Sequence, residues 1–337
     1  MQRLTRTNLF AACVLHGCLL AGCASPPDVQ PDVTAILDGE PIADGTVLFR
    51  GAFDPGRQPD GNSVMLRGTD GWIVFDTGRH EAHTRRLLTF ARASGLPIGA
   101  IVNSHWHLDH SSGNRLLRDA WPDAPVYASD AIVAALPGFL ADSQRRSEAM
   151  IAAGELREPM LSEVLGDIAT ITDAGALLPT ETVTMGESGT IAGRKVHVGL
   201  ARHAVTAGDL WLYDPATRVL LAGDLVTLPV PFLDTACPTG WQATLEVLDD
   251  TGFTLLVPGH GAPMDRAAFE AWHAAFDGLL ACAASDADAS ACADGWLAGL
   301  GGMLPARDHP RAREMLDYYV DDLLRGEGGP ATQHCPG

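Results

Sequence analysis

The stretch Ser104-His105-Trp106-His107-Leu108-Asp109-His110 packs three histidines and one aspartate into seven residues, directly after the apolar run IGAIVN at 98–103. That run reads as a short buried strand, so the polar cluster sits at a strand's C-terminal mouth. In extended chain, residues i and i+2 share a face, which lets His105 and His107 point the same way. Asp109 and His110, in the turn that follows, can approach from another side. Four ligand-type side chains then converge on one cavity.

The chain has 337 residues, 46% of them hydrophobic, and 36 glycines, which suits one large α/β domain or two smaller ones. Its formal charge is -19, and setting aside the first 23 residues leaves 21 basic residues against 42 acidic ones. Such a surface repels phosphate backbones, so nucleic-acid partners are disfavoured.

The first 23 residues, MQRLTRTNLFAACVLHGCLLAGC, have a basic start, an apolar middle and a small-residue end. This is the pattern of a secretory signal, and it is too short and interrupted for a lasting membrane span. Leu20-Ala21-Gly22-Cys23 resembles the lipobox of bacterial lipoproteins, which implies lipidation of Cys23, membrane attachment and a periplasmic location. Residues 24–38, with prolines in ASPPDVQPDV, read as an extended tether. Beyond the signal four cysteines remain, Cys237, Cys282, Cys292 and Cys335, which allow three pairings. Cys282 with Cys292 is the favoured pair, being close in sequence between two helical patterns.

Along the chain, Ser63 to Arg67 and Trp72 to Phe75 flank a Gly-Thr-Asp-Gly turn and predict a hairpin. Helical patterns are expected over Glu81 to Ser94 and Asn114 to Trp121, with a strand at Val126 to Ala128. Ala141 to Thr170 reads as helical and polar on one face, part of an insertion at about 129–170 covering the site. Strands return from Thr182 to Ala222, followed by a helix at Trp241 to Asp250 and a strand at Phe253 to Val257. The expected organisation is a core domain over 39–265, a C-terminal helical extension over 266–326 and a tail at 327–337. RHEAHT, with His80, Glu81 and His83, is one residue too short for the zinc-protease helix signature and reads as a solvated first helical turn.

Three more ligand candidates also follow apolar runs: Asp76 after WIVF, Asp224 in AGD after RVLL, and His260 in PGHG after TLLV. Taken with the His105–His110 cluster, these motifs resemble the metallo-β-lactamase superfamily, over about 49–261 and in that family's order. The resemblance implies an α/β fold of four layers, αββα, with metals at one edge between two sheets. It places His105 and His107 in a first metal site, Asp109, His110 and His260 in a second, Asp224 between the two, and Asp76 behind the ligand loop. Zinc suits imidazole and carboxylate donors, though iron and manganese accept the same set.

One expected ligand is absent. Aligning RHAVTAGDL with the family's H-T-x-G-D-L puts Val205 where a histidine belongs, with His203 two residues earlier. His203 substitutes only if the loop bends, because i and i+2 lie roughly 6.5 to 7 Å apart in extended chain. The implied chemistry is metal-assisted hydrolysis of a lactone, ester, thioester or amide, with Asp109 holding metal and orienting the attacking water. Aspartate at 224 departs from true β-lactamases, so antibiotic hydrolysis is the secondary reading. A degenerate, non-catalytic metal-binding protein is the alternative from a different class.

Overall fold

The computed structural model describes residues 38–326 and 334–335. The expected signal, Cys23 and all but the last residue of the tether fall outside these residues, as does most of the tail.

Two sheets form the centre. The first has seven strands in sequential order: β1 (Glu40–Ala43), β2 (Thr46–Phe49), β3 (Ser63–Arg67), β4 (Trp72–Phe75), β5 (Ile98–Val102), β6 (Val126–Ser129) and β7 (Glu181–Val183). It is antiparallel from β1 to β4 and parallel from β4 to β7. The second sheet has the order β12-β11-β10-β9-β8, built from β8 (Glu187–Ile191), β9 (Arg194–Ala201), β10 (Asp209–Asp214), β11 (Val219–Thr227) and β12 (Leu255–His260). Only the β11–β12 pairing is parallel.

The helices are α1 (Glu81–Ser94), α2 (Leu108–Ser111), α3 (Asn114–Ala120), α4 (Ala131–Ala135), α5 (Ala141–Ala152), α6 (Met160–Thr172), α7 (Pro238–Asp249), α8 (Arg266–Ala283), α9 (Ala289–Leu300) and α10 (His309–Tyr318). Strand alternation decides the layering, because successive side chains leave opposite faces. Leu48, Leu66, Ile73 and Phe75 meet Val198, Leu210, Leu212 and Leu221 between the sheets. Their neighbours Val47, Met65, Trp72 and Val74 pack outward against Leu87, Phe90 and Ala91 of α1. On the far side, Leu220 and Ala222 pack against Trp241, Phe269, Trp272 and Trp296 of the C-terminal helices. The result is the expected αββα sandwich.

The insertion is not one helix but three pieces, α4 to α6. It packs through Ile132, Ala135, Leu140 and Ile171 onto Trp106 and Leu108 of the histidine cluster. Helix α7 and the C-terminal extension together grip the end of β11 and the residues just beyond it by another means. Indole N–H groups of Trp241, Trp272 and Trp296 donate to the carbonyls of Leu225, Thr227 and Pro229, each at 2.9 Å. Leu225 and Thr227 lie in the last stretch of β11, where its pairing with β12 is no longer residue for residue, and Pro229 lies just beyond the strand. A buried carbonyl without a partner costs stability, and the three tryptophans supply the donors.

Both disulfides are formed, Cys282–Cys292 as expected and Cys237–Cys335, which fixes the described tip of the tail beside α7.

Candidate metal centre

The predicted ligand residues meet at one edge of the sandwich because each follows a strand end. Asp76 closes β4 in the left-handed region at φ 58°, uncommon for a residue with a Cβ. There it accepts from Ser104 N at 2.7 Å and Ser104 Oγ at 2.8 Å, and sits 2.9 Å from His110 Nδ1. The Ser104 hydroxyl has one hydrogen, given to Asp76, so towards His105 Nδ1 at 2.9 Å it accepts. Both rings thereby carry hydrogen on Nδ1 and present Nε2 to the cavity. Close packing enforces the arrangement: a Cβ on Gly259 would lie 1.9 Å from Asp224 Oδ1, and Gly223 has a φ of +53° against Ser104.

Two donor sets result, His105 with His107 and Asp224, and Asp109 with His110 and His260, with ligand atoms inside each set within 4.8 Å of one another. Asp224 faces both. Its Oδ1 is 3.2 Å from His110 Nε2 and 3.6 Å from His260 Nε2, while Oδ2 is 3.9 Å from His105 Nε2. Asp109 Oδ2 approaches His260 Nε2 at 3.0 Å and His110 Nε2 at 3.6 Å.

The donor set fits a metal. His105 Nε2, His110 Nε2, His260 Nε2 and Asp224 Oδ1 are buried and make no aligned hydrogen bond, even where an ion-pair distance is short. Four such atoms, gathered in two donor sets that share Asp224, suit a cation as their partner, because buried polar groups are otherwise satisfied by hydrogen bonds. Charge agrees. Burial works against a proton on His110, yet Asp224, Asp109 and Asp76 together raise its pKa well above the ordinary value. Burial likewise opposes charge on Asp109, but His110, His260 and Arg79 hold it well below the usual carboxylate range. His105 is lowered by burial and by its histidine neighbours, so it is available as a neutral ligand.

His203 and Val205 belong to neither set. His203 has a φ of 55° and its Nδ1 lies 3.3 Å from the His334 carbonyl, while the Val205 side chain is buried with the apolar residues of the C-terminal side. Three residues outside the sequence-derived set also matter. Ser104 lies inside the quoted cluster. Thr235 touches His107 Nε2 at 3.1 Å from a loop with no pattern to mark it. Arg79 holds Asp167 of α6 through 2.7 Å contacts to both carboxylate oxygens and reaches Asp109 at 3.6 Å.

A cleft of about 320 Å³ opens onto His107, Asp109 and Asp224, walled by Trp106, Phe139 and Phe232, with Arg79 on its rim. A larger cavity of about 540 Å³ lies beyond Arg79, among α1, α3 and α6, and contains none of the ligand candidates. Proximity to the donor sets, not size, makes the smaller cleft the candidate site.

A family model described as the metallo-beta-lactamase superfamily matches residues 56–265. The chain belongs to this superfamily. Within it, a linear primary-alkylsulfatase from Pseudomonas sp. (strain ATCC 19151) is 27% identical in an alignment of 221 residues that covers 59% of this chain and 41% of that protein. The match thus spans well under half of that relative's length. Among solved structures, a metallo-beta-lactamase from Pontibacter korlensis has a TM-score of 0.50 at 19% identity, covering 71% of this chain and 96% of that one. A double mutant of the sec-alkyl sulfatase PisA1 has a TM-score of 0.53 at 16% identity, covering 77% of this chain and 47% of that one. At such identities the structural likeness is one of fold. Membership of the metallo-beta-lactamase superfamily supports metal-dependent hydrolysis in general, and its fold typically binds zinc.

Proposed function

We propose that the protein is a metal-dependent hydrolase of small ester-type substrates, with the carbonyl class of lactone, ester, thioester and amide as the first to test. The observation that carries this reading is the pair of donor sets sharing Asp224, with four buried ligand atoms left without hydrogen bonds at their meeting point. His105, His107 and Asp224 would hold one ion, and Asp109, His110, His260 and Asp224 a second. When bound, such an ion supplies a water of lowered pKa and a Lewis acid for the substrate's oxygen.

The remaining work falls to this chain's residues. Asp109, which lines the cleft and whose carboxylate faces His260 Nε2 at 3.0 Å and Arg79 at 3.6 Å, is placed to orient a water and accept its proton. Trp106, Phe139 and Phe232 take up the apolar part of the substrate and exclude solvent. A second reading is favoured by one finding: the identified relative is named for alkyl sulfates, so a sulfate ester belongs in the same screen. Antibiotic hydrolysis is the weaker possibility, resting only on fold likeness.

With two imidazoles in the first set, dialysed protein should retain nearer one zinc than two per chain. Asp109→Ala and His110→Ala should each abolish turnover of whichever substrate is found. Hydrolysis that survives both changes, or a chain that binds no metal, would sink the proposal. Metal binding without turnover across the screen would favour the non-catalytic reading.

Export and lipid attachment through Cys23 are part of the same proposal, supported by the LAGC motif and by two disulfides, which suit an oxidising compartment. Cys23→Ser should release the protein from the membrane fraction or stall its processing, and a cytosolic unaltered protein would contradict this.

A further inference from the structure

We infer that Thr235 is a positioning residue of the metal centre: its hydroxyl sets the tautomer of His107 and so reserves Nδ1 of that ring for an ion. The inference rests on the metal-hydrolase reading and explains how the first donor set works with valine at position 205.

The deduction is one of hydrogen counting. Thr235 Oγ1 lies 2.9 Å from the carbonyl oxygen of Val205 and 3.1 Å from His107 Nε2. A carbonyl only accepts, so the single hydroxyl hydrogen goes to Val205. What the hydroxyl offers His107 is a lone pair, and Nε2 must be the donor. A neutral ring with hydrogen on Nε2 has its lone pair on Nδ1. Thr235 is 3% exposed, so bulk water does not compete for these bonds.

His105 and His110 are set in the opposite sense, through Nδ1, by Ser104 and Asp76. Those partners lie near in sequence or at the adjacent strand end. Thr235 is instead 128 residues from the ring it orients. Its loop is therefore held from several directions. Trp272 and Trp296 donate to the Thr227 and Pro229 carbonyls, and Tyr319 Oη donates to Asp234 at 3.0 Å. The Cys237 amide donates to the Ala204 carbonyl at 2.8 Å, and Cys237 is itself cross-linked to Cys335. Position 205 thus contributes through its backbone. With no third imidazole in this set, a His107 ring free to change tautomer would cost the first ion one of three donors.

The test compares Thr235→Val, which keeps the shape and removes the hydroxyl, with Thr235→Ser, which keeps the hydroxyl. In metal-free, ¹⁵N-histidine-labelled protein, His107 should show hydrogen on Nε2, and Thr235→Val should give a mixture of tautomers. Zinc titration against a competing chelator should show the first-set affinity falling about 10- to 100-fold in Thr235→Val, the usual range for losing such a supporting partner. The second-set affinity should be unchanged, and Thr235→Ser should restore both readouts.

An Nδ1–H ring in the unaltered protein overturns the inference whether or not zinc binds. Unchanged tautomer and affinity in Thr235→Val also overturn it. If Thr235→Val fails to fold, Thr235→Ser decides: unaltered values support the hydroxyl's role, and loss of the first-set ion contradicts it. Should the unaltered chain show the Nε2–H ring yet bind no zinc, the hydrolase reading fails and the metal role of Thr235 falls with it.

Discussion

His80 and His83 stand three residues apart at the start of α1 and meet opposite surroundings. His80 is bonded to Asp60 at 2.9 Å, which raises its pKa above the ordinary 6.5 even though burial opposes it. His83 faces inward with Nε2 2.8 Å from Ser63 Oγ, and burial pushes its pKa down to about 4. The expectation of a solvated first turn is therefore corrected for His83. The sequence held the clue, since His83, Leu87 and Phe90 follow helical spacing on one face and all three are buried. The two shifts act on stability with opposite signs. Between pH 6.5 and about 4 the unfolded chain takes up a proton at His83 that the native chain refuses, so stability falls with acid, by about 3 kcal/mol in all. The His80 contribution is complete below pH 6.5 and is lost as pH rises through its raised value. Urea midpoints of His83→Gln across pH 4 to 7 should show a flatter acid limb than the unaltered protein. An acid limb of undiminished steepness would contradict the assignment.

At the scale of elements, the legible parts were those whose cause is local. β3, β4 and α1 match their expected bounds because apolar runs there end at glycine turns or polar residues. The strand-end rule also carried Asp76, Asp109, Asp224 and His260 to a common edge, since side chains at the mouths of neighbouring strands must meet. The insertion was legible as helical, and its division has a local cue that the expectation of one helix passes over: Gly154 ends α5 in the left-handed region at φ 70° and Pro159 caps α6, both residues that stop a helix. The loop from 228 to 237 was not legible at all. It has neither period, and its shape comes from donors far away, namely the Trp272 and Trp296 indoles, the Tyr319 hydroxyl and the Cys237–Cys335 link. Thr235 was missed for that reason. A threonine carries no ligand signal in sequence, and only its placement between the Val205 carbonyl and His107 gives it a role.

At the scale of the whole molecule, the C-terminal extension is a brace for the edge that carries the metal-ligand candidates, and the two disulfides divide that task unequally. Cys282–Cys292 has a sequence separation of 10 and joins α8 to α9, which already pack on each other. Cys237–Cys335 has a separation of 98 and ties the tail to the start of α7, directly after the loop that carries Thr235. Closing a longer loop removes more freedom from the unfolded chain, so chain entropy assigns about 5 kcal/mol to the longer link and about 3 kcal/mol to the shorter. The longer link should also matter to the site, because Cys237 is bonded through its amide to Ala204, one residue from Val205. Cys237→Ser/Cys335→Ser should therefore lower the thermal midpoint more than Cys282→Ser/Cys292→Ser, both measured at one fixed zinc concentration because bound metal shifts the midpoint. Only the first pair should also weaken the first-set ion in a chelator competition. Equal midpoints for the two double variants would show that the longer link is not a brace. First-set affinity untouched by the loss of Cys237–Cys335 would show that the site is held by the tryptophan and tyrosine donors alone.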